Sequence, residues 1–246
     1  MEPRIHVDDT DPTRMALDAA RLGYEVVVEC VEVGPGNVGD VEWLAEEITS
    51  EVSDEVPPDV LVLPGCKLTV NDPGSLRRLV PRVRGIVYYL AVSGGDPAVN
   101  RAALSDPRVD ALSHPEKGQP HAGFGKHEIE LARRKMTYIE FELARLFRAE
   151  GEGLAWRVSR LRDALRMRRL KRFPMIVATG ARDPLELVPP KQKEEILREL
   201  LGFEDEEVEE VCREGPIETL RWNVACKHVF VVPGVAVVRG RGRGRS

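Results

Sequence analysis

Seven times along this chain a short run rich in Val, Ile, Leu and Tyr gives way to a stretch with helical spacing. The β-rich runs are Arg4–Asp8, Tyr24–Val31, Asp59–Leu63, Gly85–Val92, Val109–Leu112, Thr137–Leu143 and Pro174–Thr179. Asp11-Pro12, Asp72-Pro73 and Asp96-Pro97 each mark a helix start. The carboxylate caps free backbone N–H groups, and proline at the first helical position gives up an N–H that has no partner there anyway. Gly23 and Gly202 stand where helices end. Pro64-Gly65 is expected to end the third strand. In 154–170, Leu154, Val158, Leu161 and Leu165 recur at helical spacing and form one apolar stripe.

Strand–helix alternation calls for parallel strands joined by right-handed crossovers, in either a doubly wound open sheet or a closed barrel. Units of about 20–30 residues without a long interruption favour the barrel. The expected fold class is therefore α/β, a TIM-like (β/α) barrel of mostly parallel strands with an irregular C-terminal end. After Gly202 come two helical pieces, near Glu206–Arg213 and Pro216–Asn223, and an apolar run, His228–Val238, broken by Pro233-Gly234. No clean eighth strand is legible. Residues 1–238 are expected to form one barrel domain, and the RGRGRGRS segment 239–246 a disordered basic tail.

With 42% hydrophobic residues the chain can bury a core, which excludes global disorder. It has no run of about 18 apolar residues, so no membrane span is expected. The opening MEPRIHVDD lacks the basic-then-apolar order of a secretory signal. Cys30, Cys66, Cys212 and Cys226 have no metal-binding spacing and read as reduced, buried thiols of a cytoplasmic protein. Abundant Glu and Arg with few amides resembles proteins selected at high temperature. The net charge of −5 argues against a polyanionic partner, but its distribution argues for one. Residues 1–66 hold 3 Lys/Arg against 16 Asp/Glu, and the remainder 33 against 25.

The densest basic segment is Arg157–Arg172. It holds Arg157, Arg160, Arg162, Arg166, Arg168, Arg169, Lys171 and Arg172 against Asp163 alone. On a helix these fall mainly on the arc left by the apolar stripe, with almost no local acid to pair with. Guanidiniums so placed can each contact a phosphate and release counterions; a solvated face is the bland alternative. Arg133, Arg134 and Lys135 end the helix before the sixth strand, where cations also complement the helix dipole. Arg77, Arg78, Arg82 and Arg84 make a further patch. Arg145 and Arg148 follow the sixth strand, at the end of a barrel where functional loops lie. The expected RNA-binding set is Arg133, Arg134, Lys135, Arg145, Arg157, Arg160, Arg166 and Arg169. The acidic run Glu204–Glu210 reads as a solvated face.

From Arg108 onward the chain carries RVDALSHPEKGQPHAGFGKHEIELARRKMTYIEFELARLFR, then KRFPMIVATGA, then LGFEDEEVEEVCREGPIETLRWN. In these segments it resembles the archaeal ribonuclease P protein component 3 family, related to the eukaryotic thirty-kilodalton subunit. Lys126 before His127 and the Ala178-Thr179-Gly180 strand end depart from the family pattern. The resemblance implies a barrel related to the polymerase-and-histidinol-phosphatase hydrolases. It implies a subunit of the endoribonuclease that removes the 5′ leader of precursor tRNA, and no catalytic residue on this chain. Implied partners are ribonuclease P RNA, ribonuclease P protein component 2, the other protein subunits and, indirectly, precursor tRNA. No cofactor is expected on the chain, Mg2+ belonging to the RNA.

A metal-dependent phosphoesterase of the same barrel type is the alternative. It would need imidazoles at strand ends. His6 and Asp8 stand where a His-x-His pair would be required, with His114 and His121 near other strand ends. A degenerate site, with no metal bound, is the expected outcome. No nucleophile elbow, P-loop or dinucleotide fingerprint is present, and GPGNVG at 34–39 reads as loop punctuation.

Overall fold

In a computed structural model, seven parallel strands hydrogen-bond in sequence order: β1 (Glu2–His6), β2 (Val26–Val33), β3 (Leu61–Leu68), β4 (Tyr89–Ser93), β5 (Ala111–Ser113), β6 (Tyr138–Glu142) and β7 (Met175–Ala178). The structure describes residues 11–119 and 121–226, with the backbone of 2–6, 230–232 and 235–236. β7 comes round beside β1, so the sheet curls into the expected TIM-like barrel. Helices α1 (Pro12–Arg21), α2 (Gly39–Glu47), α3 (Ser53–Glu55), α4 (Pro73–Val83), α5 (Pro97–Ser105), α6 (Lys126–Lys135), α7 (Ala144–Phe147) and α8 (Gly151–Lys171) fill the crossovers.

The three Asp-Pro starts form as expected. Asp11 accepts from the backbone N–H of Thr13, Asp72 from Ser75, and Asp96 from Ala98 and Val99. Strand alternation splits the core. Val27, Val31, Val33, Leu90, Val92, Ile139 and Phe141 pack outward against helices, while Val28, Cys30, Tyr89, Ala91, Ala111, Tyr138 and Ile176 pack inside the barrel.

β3 departs from expectation, because it runs straight through Pro64-Gly65. A Cβ at Gly65 would lie 2.4 Å from Cys30 Sγ and 2.8 Å from Val28 Cγ1. Glycine is there because the barrel wall admits no side chain, and the chain does not turn. β4 begins at Tyr89, later than its apolar run suggests, since Gly85–Tyr88 form the approach from α4.

No eighth strand joins the barrel among the described residues. After β7 the chain forms α9 (Pro190–Glu195), α10 (Asp205–Glu209) and α11 (Gly215–Cys226), the first two running on through wider turns over Ile196–Leu201 and Glu210–Glu214. Strands β8 (Phe230–Val232) and β9 (Val235–Ala236) pair as an antiparallel hairpin. The basic segment 239–246 lies outside the described residues.

Candidate RNA-binding surface and the barrel interior

The barrel interior holds a closed polar network. Lys67, from β3, lies with Nζ 3.2 Å from Glu142 Oε1 of β6. His114, just past β5, has Nε2 2.7 Å from Glu142 Oε2 and Nδ1 3.3 Å from Glu116 Oε1. Lower down, Tyr89 donates its hydroxyl to Glu140 at 2.5 Å. All six side chains are buried. His114 holds φ 53°, a left-handed conformation rare outside glycine. Burial pushes the Glu116 carboxyl up, against the pull of Arg145, Arg157 and Lys67.

This network bears on the metal expectation. Among the described residues no group of three or more His, Cys, Asp or Glu is arranged to hold an ion. The cation beside Glu142 is the ammonium of Lys67, and both nitrogens of His114 face carboxylates. His121 is apart from the network; it is exposed, and its Nδ1 takes the N–H of Gly123 at 3.0 Å. The side chains of His6 and Asp8 lie outside the described residues. Sequence reasoning singled out His114 but missed Lys67, Glu140 and Glu142. Their signal was a charged residue inside an apolar run, LPGCKL or YIEFE, at inward-facing parity.

The expectation that the α8 guanidiniums lack acids to pair with is corrected. Arg160 and Arg166 share Asp163, at 3.1 and 3.0 Å. Arg168 pairs with Glu210. Arg169 forms a two-pronged bond to Glu207, at 2.8 and 2.7 Å, and lies 3.5 Å from Glu204. Glu204–Glu210 is therefore a docking partner for α8, more than a solvated face. The acids come from a helix about 40 positions downstream, beyond the reach of local patterning. The apolar stripe is also uneven: Leu161 and Leu165 are buried, whereas Leu154 is exposed because the first turns of α8 extend past the packed body.

The other basic residues fare differently. Arg133 and Arg134, at the C-terminal end of α6, are exposed and make no ion pair among the described residues. Lys135 is half-buried beside Pro107, Met136 and Trp222. α6 packs on α5 and α5 on α4, which presents exposed Arg77 and Arg82. Arg84 does not belong to that patch. It is buried, 2.6 Å from Asp110, and anchors the α4–β4 connection to β5.

A second cationic cluster rims the mouth, where the strands end. Arg145 on α7 is half-buried, and its carbonyl accepts from Arg157 Nη1 at 2.5 Å. Burial holds Arg145 below the usual arginine range, and the nearby charges of Arg148 and Arg182 push the same way. Arg148 grips Glu186, and Arg182 lies 3.1 Å from Glu32. Arg182 went unnoticed in the sequence because only the curling of the sheet brings the end of β7 beside Glu32 of β2.

This arrangement defines a class: a (β/α) barrel whose interior polar side chains bond mainly to one another and whose guanidiniums gather on the outer wall and rim. The model of the RNase P subunit p30 family matches residues 1–228. The chain is 62% identical to ribonuclease P protein component 3 of Methanopyrus kandleri, covering 94% of this chain and 95% of that one. It is 31% identical to the component 3 protein of Halorubrum lacusprofundi, over 95% and 93%. A chain of the cryo-EM structure of archaeal ribonuclease P with mature tRNA superposes with a TM-score of 0.78 at 19% identity, over 98% of this chain and all of that one. The chain belongs to the RNase P subunit p30 family.

Proposed function

We propose that this chain supports the catalytic RNA of ribonuclease P by contacting its phosphates through the outer wall and mouth of the barrel. As a member of the RNase P subunit p30 family, it is a protein subunit of that endoribonuclease, which acts in tRNA maturation. The observation that carries the RNA reading is the pair Arg133 and Arg134. They are solvent-facing, unpaired among the described residues, and on the same wall as Arg77 and Arg82. Such cations stabilise a polyanion without sequence reading. Arg145 and Arg157 add contacts at the mouth. Lys135, Arg160, Arg166 and Arg169 complete the proposed set, the last three with part of their charge already engaged by acids.

In this reading the chain carries no catalytic residue and no cofactor, the Mg2+ residing on the RNA. Its partners are ribonuclease P RNA, protein component 2 and the other protein subunits, with precursor tRNA met indirectly. The setting is the cytoplasm, consistent with the finding that no described helix is long and apolar enough to cross a membrane. The metal-dependent phosphoesterase reading is not favoured, because Lys67 and His114 already engage both oxygens of Glu142.

Reconstitution tests this. Ribonuclease P RNA is assembled with the other subunits, with and without the chain, and precursor-tRNA cleavage is followed. Cleavage should fall without the chain, and its RNA affinity should drop steeply with salt. Charge reversal of Arg133 and Arg134 together should lower RNA affinity and flatten the salt slope by roughly one unit per lost contact. Unchanged cleavage without the chain would overturn the reading.

A further inference from the structure

We propose that the barrel mouth binds a phosphate group between the guanidiniums of Arg145 and Arg157. The argument rests on what each cation at the mouth already holds. Arg148 and Arg182 have carboxylates of their own, Glu186 and Glu32. Arg145 has none within ion-pair distance among the described residues, although it is half-buried and beside like charges. Arg157 spends one N–H on the Arg145 carbonyl and makes no other hydrogen bond among the described residues. That bond fixes α8 against α7 and keeps the two side chains next to each other.

In the turn after β5, at the same end of the barrel, Glu116 has a buried Oε2 that makes no hydrogen bond among the described residues. Its charge acts on both Arg145 and Arg157, so the three groups stand near one another at this end of the barrel. Burial pushes the Glu116 carboxyl up, which lessens its repulsion of an incoming oxyanion. The Arg145 fork and the N–H groups that Arg157 keeps free of the Arg145 carbonyl match a tetrahedral oxyanion with several acceptor oxygens. A carboxylate would use only one fork. The phosphate comes either from the RNA backbone or from free inorganic phosphate, and the inference leans on the RNA reading only for the first source.

The test is calorimetric titration of the purified full chain with inorganic phosphate. Arg145→Gln and Arg157→Gln should each weaken binding about tenfold or more. Arg145→Lys should lose nearly as much, since it keeps the charge but not the fork. Lys171→Gln, at an exposed site away from the mouth, should bind as the parent does. Circular dichroism and melting of each variant separate lost binding from lost folding, and Arg157→Gln, half-buried and outside the hydrophobic core, is the variant less able to disturb the fold.

An RNA arm identifies the source. If phosphate competes with ribonuclease P RNA and Arg145→Gln weakens both, the site holds a backbone phosphate. If RNA binding is indifferent to both, it takes the free anion. Absent phosphate binding, or equal binding by parent and both Gln variants (an adventitious ion only), overturns the proposal. Salt-sensitive RNA binding that persisted in that case would leave the wall-contact reading standing.

Discussion

Replacing Lys67 by Met keeps the length of the side chain and removes its charge from the barrel interior. Lys67 and Glu142 have side-chain exposures of 5% and 2%, so water screens the pair little. At 3.2 Å, and with an effective dielectric of about 20, two unit charges attract by roughly 5 kcal/mol before desolvation is counted. The ammonium's own desolvation offsets much of that in the parent. In the variant the Glu142 carboxylate stays buried beside His114, and removing one partner of a buried ion pair costs about 3–5 kcal/mol. In a barrel of this size that corresponds to a fall in Tm of roughly 6–20 °C. Urea unfolding followed by far-UV circular dichroism gives the free energy directly. The double variant Lys67→Met/Glu142→Gln should recover a substantial part of the loss, since no uncompensated carboxylate remains. A single-variant cost below about 1 kcal/mol, or strictly additive effects in the cycle, would refute the claim that the ammonium is the interior counter-ion.

Gly65→Ala should destabilise by about 1–3 kcal/mol in the same assay, because the new methyl collides with Cys30 and Val28 inside the barrel. Arg169→Ala, which breaks a half-exposed bond to Glu207, should cost under about 1 kcal/mol, and less at high salt. A loss of several kcal/mol there would show that the α8–α10 contact bears far more of the fold than its exposure suggests. Glu29 is fully buried, has no hydrogen-bond partner among the described residues, and its carboxyl is pushed well above the ordinary glutamate value by burial and by Asp11. The folded state therefore keeps a proton that the unfolded chain releases, and the stability so conferred is lost as pH rises from the ordinary glutamate value through the folded-state one. Glu29→Gln should flatten that fall, gaining on the parent as pH rises; parallel stability–pH curves would contradict it.

Much of the architecture is legible without coordinates. The seven strand–helix units and the three Asp-Pro caps follow from interactions within a few residues, and the handedness of the crossovers then leaves few topologies. The exposed Arg133 and Arg134 are legible too, because a run of cations at a helix end has nothing local to bury it. Pro64-Gly65 shows the limit of local rules: the pair that signals a turn lies within a strand, since the reason for glycine is a thiol and a valine on the neighbouring strand.

Charge pairing is where tertiary structure decided most. Asp163 is visible beside Arg160 and Arg166, but Glu207 and Glu210 reach Arg169 and Arg168 only after α10 folds back on α8. Arg84 looked like a surface residue until Asp110, on the approach to β5, was placed beside it. The interior set of Lys67, His114, Glu116 and Glu142 comes from β3, β6 and the end of β5, joined by curling the sheet. Backbone propensity and hydrophobic period act over a few residues, so the chain's linear order declares them. An electrostatic partner is chosen by distance in space, and only the curled, folded sheet sets those distances.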